Sequence, residues 1–210
     1  MSVAIVKYNA GNIYSVVHAL KRLGVEPLLT DDPHQLQAAD KVIFPGQGEA
    51  HQAMTYLREH GLDHVIRSLR QPVLGICIGQ QLLCRHSEEG NTDCLGIFPV
   101  DVLKFRPTRH EDKVPHMGWN TLTCQSSVLK CQATKDEDNS SHSSIDYRHS
   151  SFVYFVHSYY VPVCEFTTAV TEYIVPFSAS LQCNNFYATQ FHPEKSGAVG
   201  ERILQQFLSL

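Results

Sequence analysis

The stretch Pro72-Val73-Leu74-Gly75-Ile76-Cys77-Ile78-Gly79-Gln80-Gln81-Leu82-Leu83 leaves this chain few ways to fold. It reads as a short buried strand, a tight turn carrying Cys77, and the opening turns of a helix. Gly75-Ile76-Cys77-Ile78-Gly79 is the cysteine version of the G-x-S-x-G elbow, in which a nucleophile sits on a sharp strand-to-helix turn. Glycines on both sides keep side chains out of the turn and let a substrate carbonyl approach the backbone. A sulfur at a helix N-terminus also meets the positive end of the helix dipole, which favours thiolate over thiol. A lone cysteine is more often a small inert core residue, but the double-glycine frame argues against that here.

A second signature lies near the C-terminus, where Phe191-His192-Pro193-Glu194 closes the apolar run Phe186-Tyr187-Ala188-Thr189-Gln190. A thiolate nucleophile needs a base to take and return its proton, and the base needs a partner that holds its tautomer. Pro193 biases His192 towards an extended backbone, and alternate residues of an extended chain share a face. Glu194 is therefore expected beside the imidazole of His192. Alone, His-Pro-Glu is an ordinary surface turn. With the cysteine elbow upstream it points to a Cys77-His192-Glu194 triad.

The 210 residues suit one domain spanning positions 1–210. A formal charge of -4 implies no general surface for polyanions. No apolar run is long enough to span a bilayer, and Met1-Ser2-Val3-Ala4-Ile5-Val6-Lys7 has no signal-peptide pattern. Seven scattered cysteines suggest no disulfide framework, which points to a reducing cytosol. Nor do they show C-x-x-C spacing, and no metal site or cofactor is expected.

Along the first half, strands are expected at Val3–Val6, Val25–Leu29, Lys41–Phe44 and the segment before Cys77. Between them come a helix with Ile13, Val16, Val17, Leu20 and Leu23 on one face, stopped by Gly24, and a second helix begun by Asp32-Pro33. A helical stretch from Ala50 to Leu69 is interrupted at Gly61. This alternation predicts a parallel, doubly wound α/β sheet. After Gly90, shorter β-like runs at 100–105, 119–123, 152–157, 168–173, 178–183 and 187–191 suggest mixed or antiparallel strands added to the parallel core. A closing helix runs from Gly197 to Leu208, and Lys135 to Ser151 reads as an exposed polar loop whose His142 and His149 are solvated.

With the elbow Gly75-Ile76-Cys77-Ile78-Gly79-Gln80-Gln81 and His192-Pro193-Glu194 both present, the chain resembles the class I (triad-type) glutamine amidotransferases over nearly its whole length. The resemblance implies a flavodoxin-like three-layer sandwich. It also implies that Cys77 attacks the side-chain amide of glutamine, with His192 as general base and acid and Glu194 as its orienting partner. Three segments narrow it: Tyr8-Asn9-Ala10-Gly11-Asn12-Ile13-Tyr14-Ser15, Val114-Pro115-His116-Met117-Gly118-Trp119-Asn120 and Tyr154-Phe155-Val156-His157-Ser158-Tyr159. These look like the glutaminase subunits of imidazole glycerol phosphate synthases. Such subunits pass ammonia to a cyclase subunit that makes imidazole glycerol phosphate and AICAR in histidine biosynthesis. By resemblance, Gly46, Gly48, Gln81, Glu89, Ser158 and Tyr159 surround the bound glutamine, while Asn12 and Trp119 lie near the contact with the cyclase. The alternatives are a glutaminase serving anthranilate, guanylate or pyridoxal phosphate synthesis, or a catalytically silent regulatory subunit.

Chemistry adds the oxyanion donors. The N–H of Ile78, first after the nucleophile, supplies one. The Gln47 peptide, flanked by Gly46 and Gly48 at the end of the third strand, is the candidate for the other. His116 reads as a packed loop histidine, and His157 as a structural or substrate-wall residue. Cys84, on the Cys77 helix, reads as core, and Cys124 and Cys131 as inert. Trp119 is divided between core and interface.

Overall fold

The structure, a computed structural model, describes residues 1–8, 13–46, 48–124, 145 and 152–210. In the first half, strands Val3–Val6 (β1), Leu28–Thr30 (β2), Lys41–Phe44 (β3) and Val73–Ile76 (β4) alternate with helices Ile13–Arg22 (α1), Pro33–Ala38 (α2), Ala50–Glu59 (α3) and Leu62–Ser68 (α4). Helix α5 (Ile78–Leu83) leaves β4 through Cys77. Short strands β5 (Cys84–Ser87), β6 (Thr92–Asp93) and β7 (Phe98–Lys104) come next. The second half holds β8 (His116–Thr121), β9 (Thr123–Cys124), β10 (Phe152–His157), β11 (Tyr159–Tyr160), β12 (Thr167–Tyr173), β13 (Val175–Cys183) and β14 (Phe186–Thr189). Helix α6 (Gly197–Ser209) closes it.

The main sheet runs β2-β1-β3-β4-β14-β13-β12-β9. Pairing is parallel from β2 to β14 and antiparallel beyond it, the mixed arrangement expected from the sequence. A β8–β10 ribbon and a sheet ordered β11-β7-β5-β6 flank it. Side chains alternate faces along each central strand, so Val3 and Ile5 enter one core while Ala4 and Val6 enter the other. Helices α1 and α6 supply Leu20, Ile203 and Phe207 to the first core. Leu36, Met54, Leu57, Ile66 and Leu83, from α2 to α5, fill the second. Three layers result.

Local chemistry sets most boundaries. The Asp32 carboxylate accepts the His34 N–H at 2.8 Å and caps α2, with Pro33 as its first residue. Gly61, at φ 66°, splits the expected 50–69 helix into α3 and α4. The second strand starts later than expected. Leu23 and Val25 donate their N–H groups back to Leu20, which keeps the chain coiled after α1, so extension begins only at Leu28. The helix after Cys77 is also shorter than its apolar pattern suggests, ending at Leu83. Cys84 is buried as expected, but from strand β5 rather than a helix face. Of the loop Lys135 to Ser151, only Ile145 is described, and it is buried rather than exposed. His142, His149 and Cys131 lie outside the described residues. Among the described residues no helix is long and apolar enough to cross a membrane.

Candidate active site

Cys77 stands at the C-terminal end of β4, between β3 and β14, with φ 53° and ψ -108°. A non-glycine residue in that region is strained, and the surroundings hold it there. Its N–H donates to Thr189 O at 2.7 Å, and its carbonyl accepts from Gln80 N at 3.0 Å and Gln81 N at 3.3 Å. The flanking glycines have a steric reason. A Cβ on Gly79 would lie 2.1 Å from Phe44 O, and one on Gly75 would lie 2.9 Å from Gly79 O. They let α5 press against β3 and β4, while the positive φ falls on Cys77 itself. Gly46 belongs to the same packing, since a Cβ there would lie 2.7 Å from Gly79 N.

His192 follows the end of β14, whose residues pair with β4 (Thr189 with Ile76). His192 and Cys77 thus follow neighbouring strands. His192 Nδ1 lies 2.8 Å from Glu194 Oε1, and both side chains are buried. His192 itself is extended, as expected before Pro193, but the residues after it are not. Residues Pro193–Lys195 form a single 3-10 turn, and that turn carries Glu194 back to the ring. Nε2 of His192 is buried, and among the described residues no hydrogen-bond partner meets it. Burial pushes the pKa of His192 down, but the adjacent Cys77 sulfur and Glu194 outweigh it and raise it to about 10. The protonated imidazolium is the charge state of His192 that this geometry favours.

A cavity of about 420 Å³ opens over these groups, lined by Gly48, Cys77, Ile78, Gln81, Glu89, Pro115, Val156, His157, Ser158, Tyr159 and His192. All the described residues expected around a ligand line it except Gly46, which packs behind Ile78. The Glu89 carboxylate caps Ala50 N at 2.9 Å, and burial pushes its pKa up. Gln47 and Asn12 lie outside the described residues.

Three features were not legible as site residues. Tyr8 is buried and bonds Pro45 O, tying the loop after β3 to β1; burial raises its pKa. Gln190 reaches the Cys77 sulfur. His116 is no loop residue: it begins β8 and pairs with His157, Nδ1 to Nε2 at 3.0 Å. His157 Nδ1 lies 2.7 Å from Tyr159 O, and Asn120 Nδ2 lies 3.3 Å from His116 Nε2. Tyr159 O can only accept, so every proton in this chain of bonds is assigned and both rings are neutral. Desolvation lowers His116 to about 4 and His157 to about 3. Their adjacency across β8 and β10 is invisible until the register of those strands is known. Trp119 and Met117, on the same ribbon, are 56% and 64% exposed, which removes Trp119 from the core.

A cysteine on a strained elbow, a buried His-Glu pair on the next strand and a mainly parallel sheet define a class. The chain belongs to the class I glutamine amidotransferases, whose family model (Glutamine amidotransferase class-I) matches residues 4–209. Within that family it is 63% identical to the imidazole glycerol phosphate synthase subunit HisH of Bacteroides fragilis, over the whole of both chains. It is 42% identical to the protein of that name in Escherichia coli K12, again over the whole of both. In fold it is similar to a crystallised glutamine amidotransferase (TM-score 0.68, 19% identity, covering 100% of this chain and 98% of that one). A crystallised glutamine amidotransferase of Thermotoga maritima is similar too (TM-score 0.59, 16% identity, covering 100% and 81%).

Proposed function

We propose that this chain is the glutaminase subunit of an imidazole glycerol phosphate synthase, acting in the cytosol on free glutamine. The Cys77 thiolate attacks the side-chain amide carbon, and the C–N bond breaks as His192 gives its proton to the departing ammonia. Water, deprotonated by His192, then cleaves the thioester, releasing glutamate and restoring the sulfur. Glu194 accepts from Nδ1 of His192, which leaves Nε2 to serve the reacting atoms. Ile78 N–H and the Gln47 peptide receive the oxyanion. Gly48, Gln81, Ser158 and Tyr159 hold the substrate with Glu89, whose carboxylate suits the ammonium group of a free amino acid.

The observation that carries this reading is the buried His192, its Nδ1 engaged by Glu194, beside Cys77 over a ligand-sized cavity. The exposed Trp119 and Met117 support a cyclase subunit seated on the β8–β10 ribbon, with Asn12 at the same contact. Cys77→Ala should abolish glutamine-dependent synthesis by the complex and spare ammonia-dependent synthesis. Loss of both would make Cys77 structural.

A further inference from the structure

Gln190 is fully buried and has no place in a Cys-His-Glu mechanism. Its backbone N–H is fixed to Ala179 O at 2.8 Å. The carboxamide is fixed as well. Gln81 Nε2 donates to Tyr159 O at 3.0 Å and to Gln190 Oε1 at 3.0 Å, which commits both amide hydrogens of Gln81 to oxygen acceptors. The oxygen of Gln190 therefore faces Gln81. Its nitrogen is left to face the nucleophile, and it donates to Cys77 Sγ at 3.7 Å.

On its other side the sulfur lies 3.8 Å from Val156 O, an acceptor that only a protonated thiol can use. The two contacts oppose each other. A bond from the N–H of Gln190 strengthens when the sulfur is charged, whereas the Val156 carbonyl repels that charge.

We propose that Gln190 is a thiolate-selecting residue: its carboxamide, clamped by Gln81, holds Cys77 in the charged state against Val156 O. The clamp also joins the sulfur to the pocket wall, because Gln81 and Tyr159 line the cavity. This rests on the reading of Cys77 as the nucleophile, and the readout below does not depend on glutamine turnover.

The experiment is the pH dependence of Cys77 alkylation by iodoacetamide, followed on the Cys77 peptide by mass spectrometry in the unsubstituted chain, Gln190→Met and Gln190→Glu. Methionine keeps the volume and removes the donor. Glutamate keeps the oxygen that accepts from Gln81 and sets a second oxygen against the sulfur. The thiolate midpoint should rise by about one pH unit in Gln190→Met, cutting alkylation about tenfold at any pH well below the midpoint of the unsubstituted chain, and further in Gln190→Glu. An unchanged midpoint in either folded variant overturns the proposal. A third arm needs no change at Gln190. The side-chain amide protons of Gln190 should titrate by NMR with the Cys77 midpoint and lose that titration in Cys77→Ala; amide shifts indifferent to Cys77 overturn it equally. Failure of the glutaminase reading would show elsewhere, as Cys77→Ala that still hydrolyses glutamine.

Discussion

Replacing Gly79 with alanine tests how the nucleophile is held. The added Cβ would lie 2.1 Å from Phe44 O and 3.1 Å from Phe44 C, both backbone atoms of β3. Ordinary contact begins at 3.4 Å, so the start of α5 must retreat from β3 by about 1.3 Å. Neither side yields easily, since β3 is fixed between β1 and β4 in the centre of the sheet. The displacement reaches Cys77, whose carbonyl is bonded to Gln80 N and Gln81 N in the same turn. A misplacement of about 1 Å at reacting atoms costs on the order of 10²-fold in rate. Overpacking of this kind costs about 1–3 kcal/mol of stability, which lowers the melting temperature by roughly 2–4 °C per kcal/mol in a chain of this size. The assay is glutamate release by the chain saturated with the proposed cyclase partner, with thermal unfolding of the chain alone. Gly96→Ala is the control: a Cβ there meets open space but sits at φ 69°, so stability should fall modestly with turnover intact. Gly79→Ala with normal turnover and melting would refute the packing argument.

Three further outcomes are expected. Glu194→Gln leaves the shape but removes the charge facing His192 Nδ1, so turnover should fall by roughly 10²–10⁴ and the His192 pKa should drop; an unmoved pKa by NMR would deny Glu194 its role. Because the folded-state pKa of His192 is raised from 6.5 to about 10, its stabilisation is full below pH 6.5 and fades as pH rises towards 10. Melting temperature should therefore decline over that window, and less steeply in Cys77→Ala, where the charge that holds the proton is gone; equal slopes in the two chains would contradict the pairing. His116 and His157 act in the opposite sense. Their lowered pKa values give stability that is present above pH 6.5 and lost as pH falls through about 4 and about 3, so His116→Phe should flatten acid unfolding in that range. An acid-unfolding curve of unchanged steepness, followed by circular dichroism, would count against this account of the two rings.

What could be read without coordinates was whatever is local in the chain. The Asp32-Pro33 cap, the break at Gly61 and the Lys41–Phe44 and Phe152–His157 strands depend on neighbours in sequence, and they lie where spacing puts them. The parallel half followed from the alternation of apolar runs with helical ones. Strands β5, β6 and β11 were hidden because runs of two to four residues carry no periodicity, and β6 and β11 lie at the edges of their sheet, where polar residues are tolerated. In the site, motifs exposed Cys77, His192 and Glu194. Gln190 and the His116–His157 pair were not visible as partners, since their meaning comes from β14 lying against β4 and from β8 lying against β10.

The place of β14 also bears on when the site comes into being. A chain emerging from the ribosome as far as Cys183 already holds Cys77 and most of the pocket wall, yet β4 still has an open edge where β14 belongs. The base, its carboxylate partner and the Thr189 carbonyl that pins the elbow all arrive within the same late segment. That segment lies in the middle of the sheet rather than at its margin, so its place beside β4 joins the two halves of the chain and sets His192 and Glu194 near Cys77. An unfinished copy therefore carries the Cys77 sulfur without the histidine that the proposed mechanism makes its base.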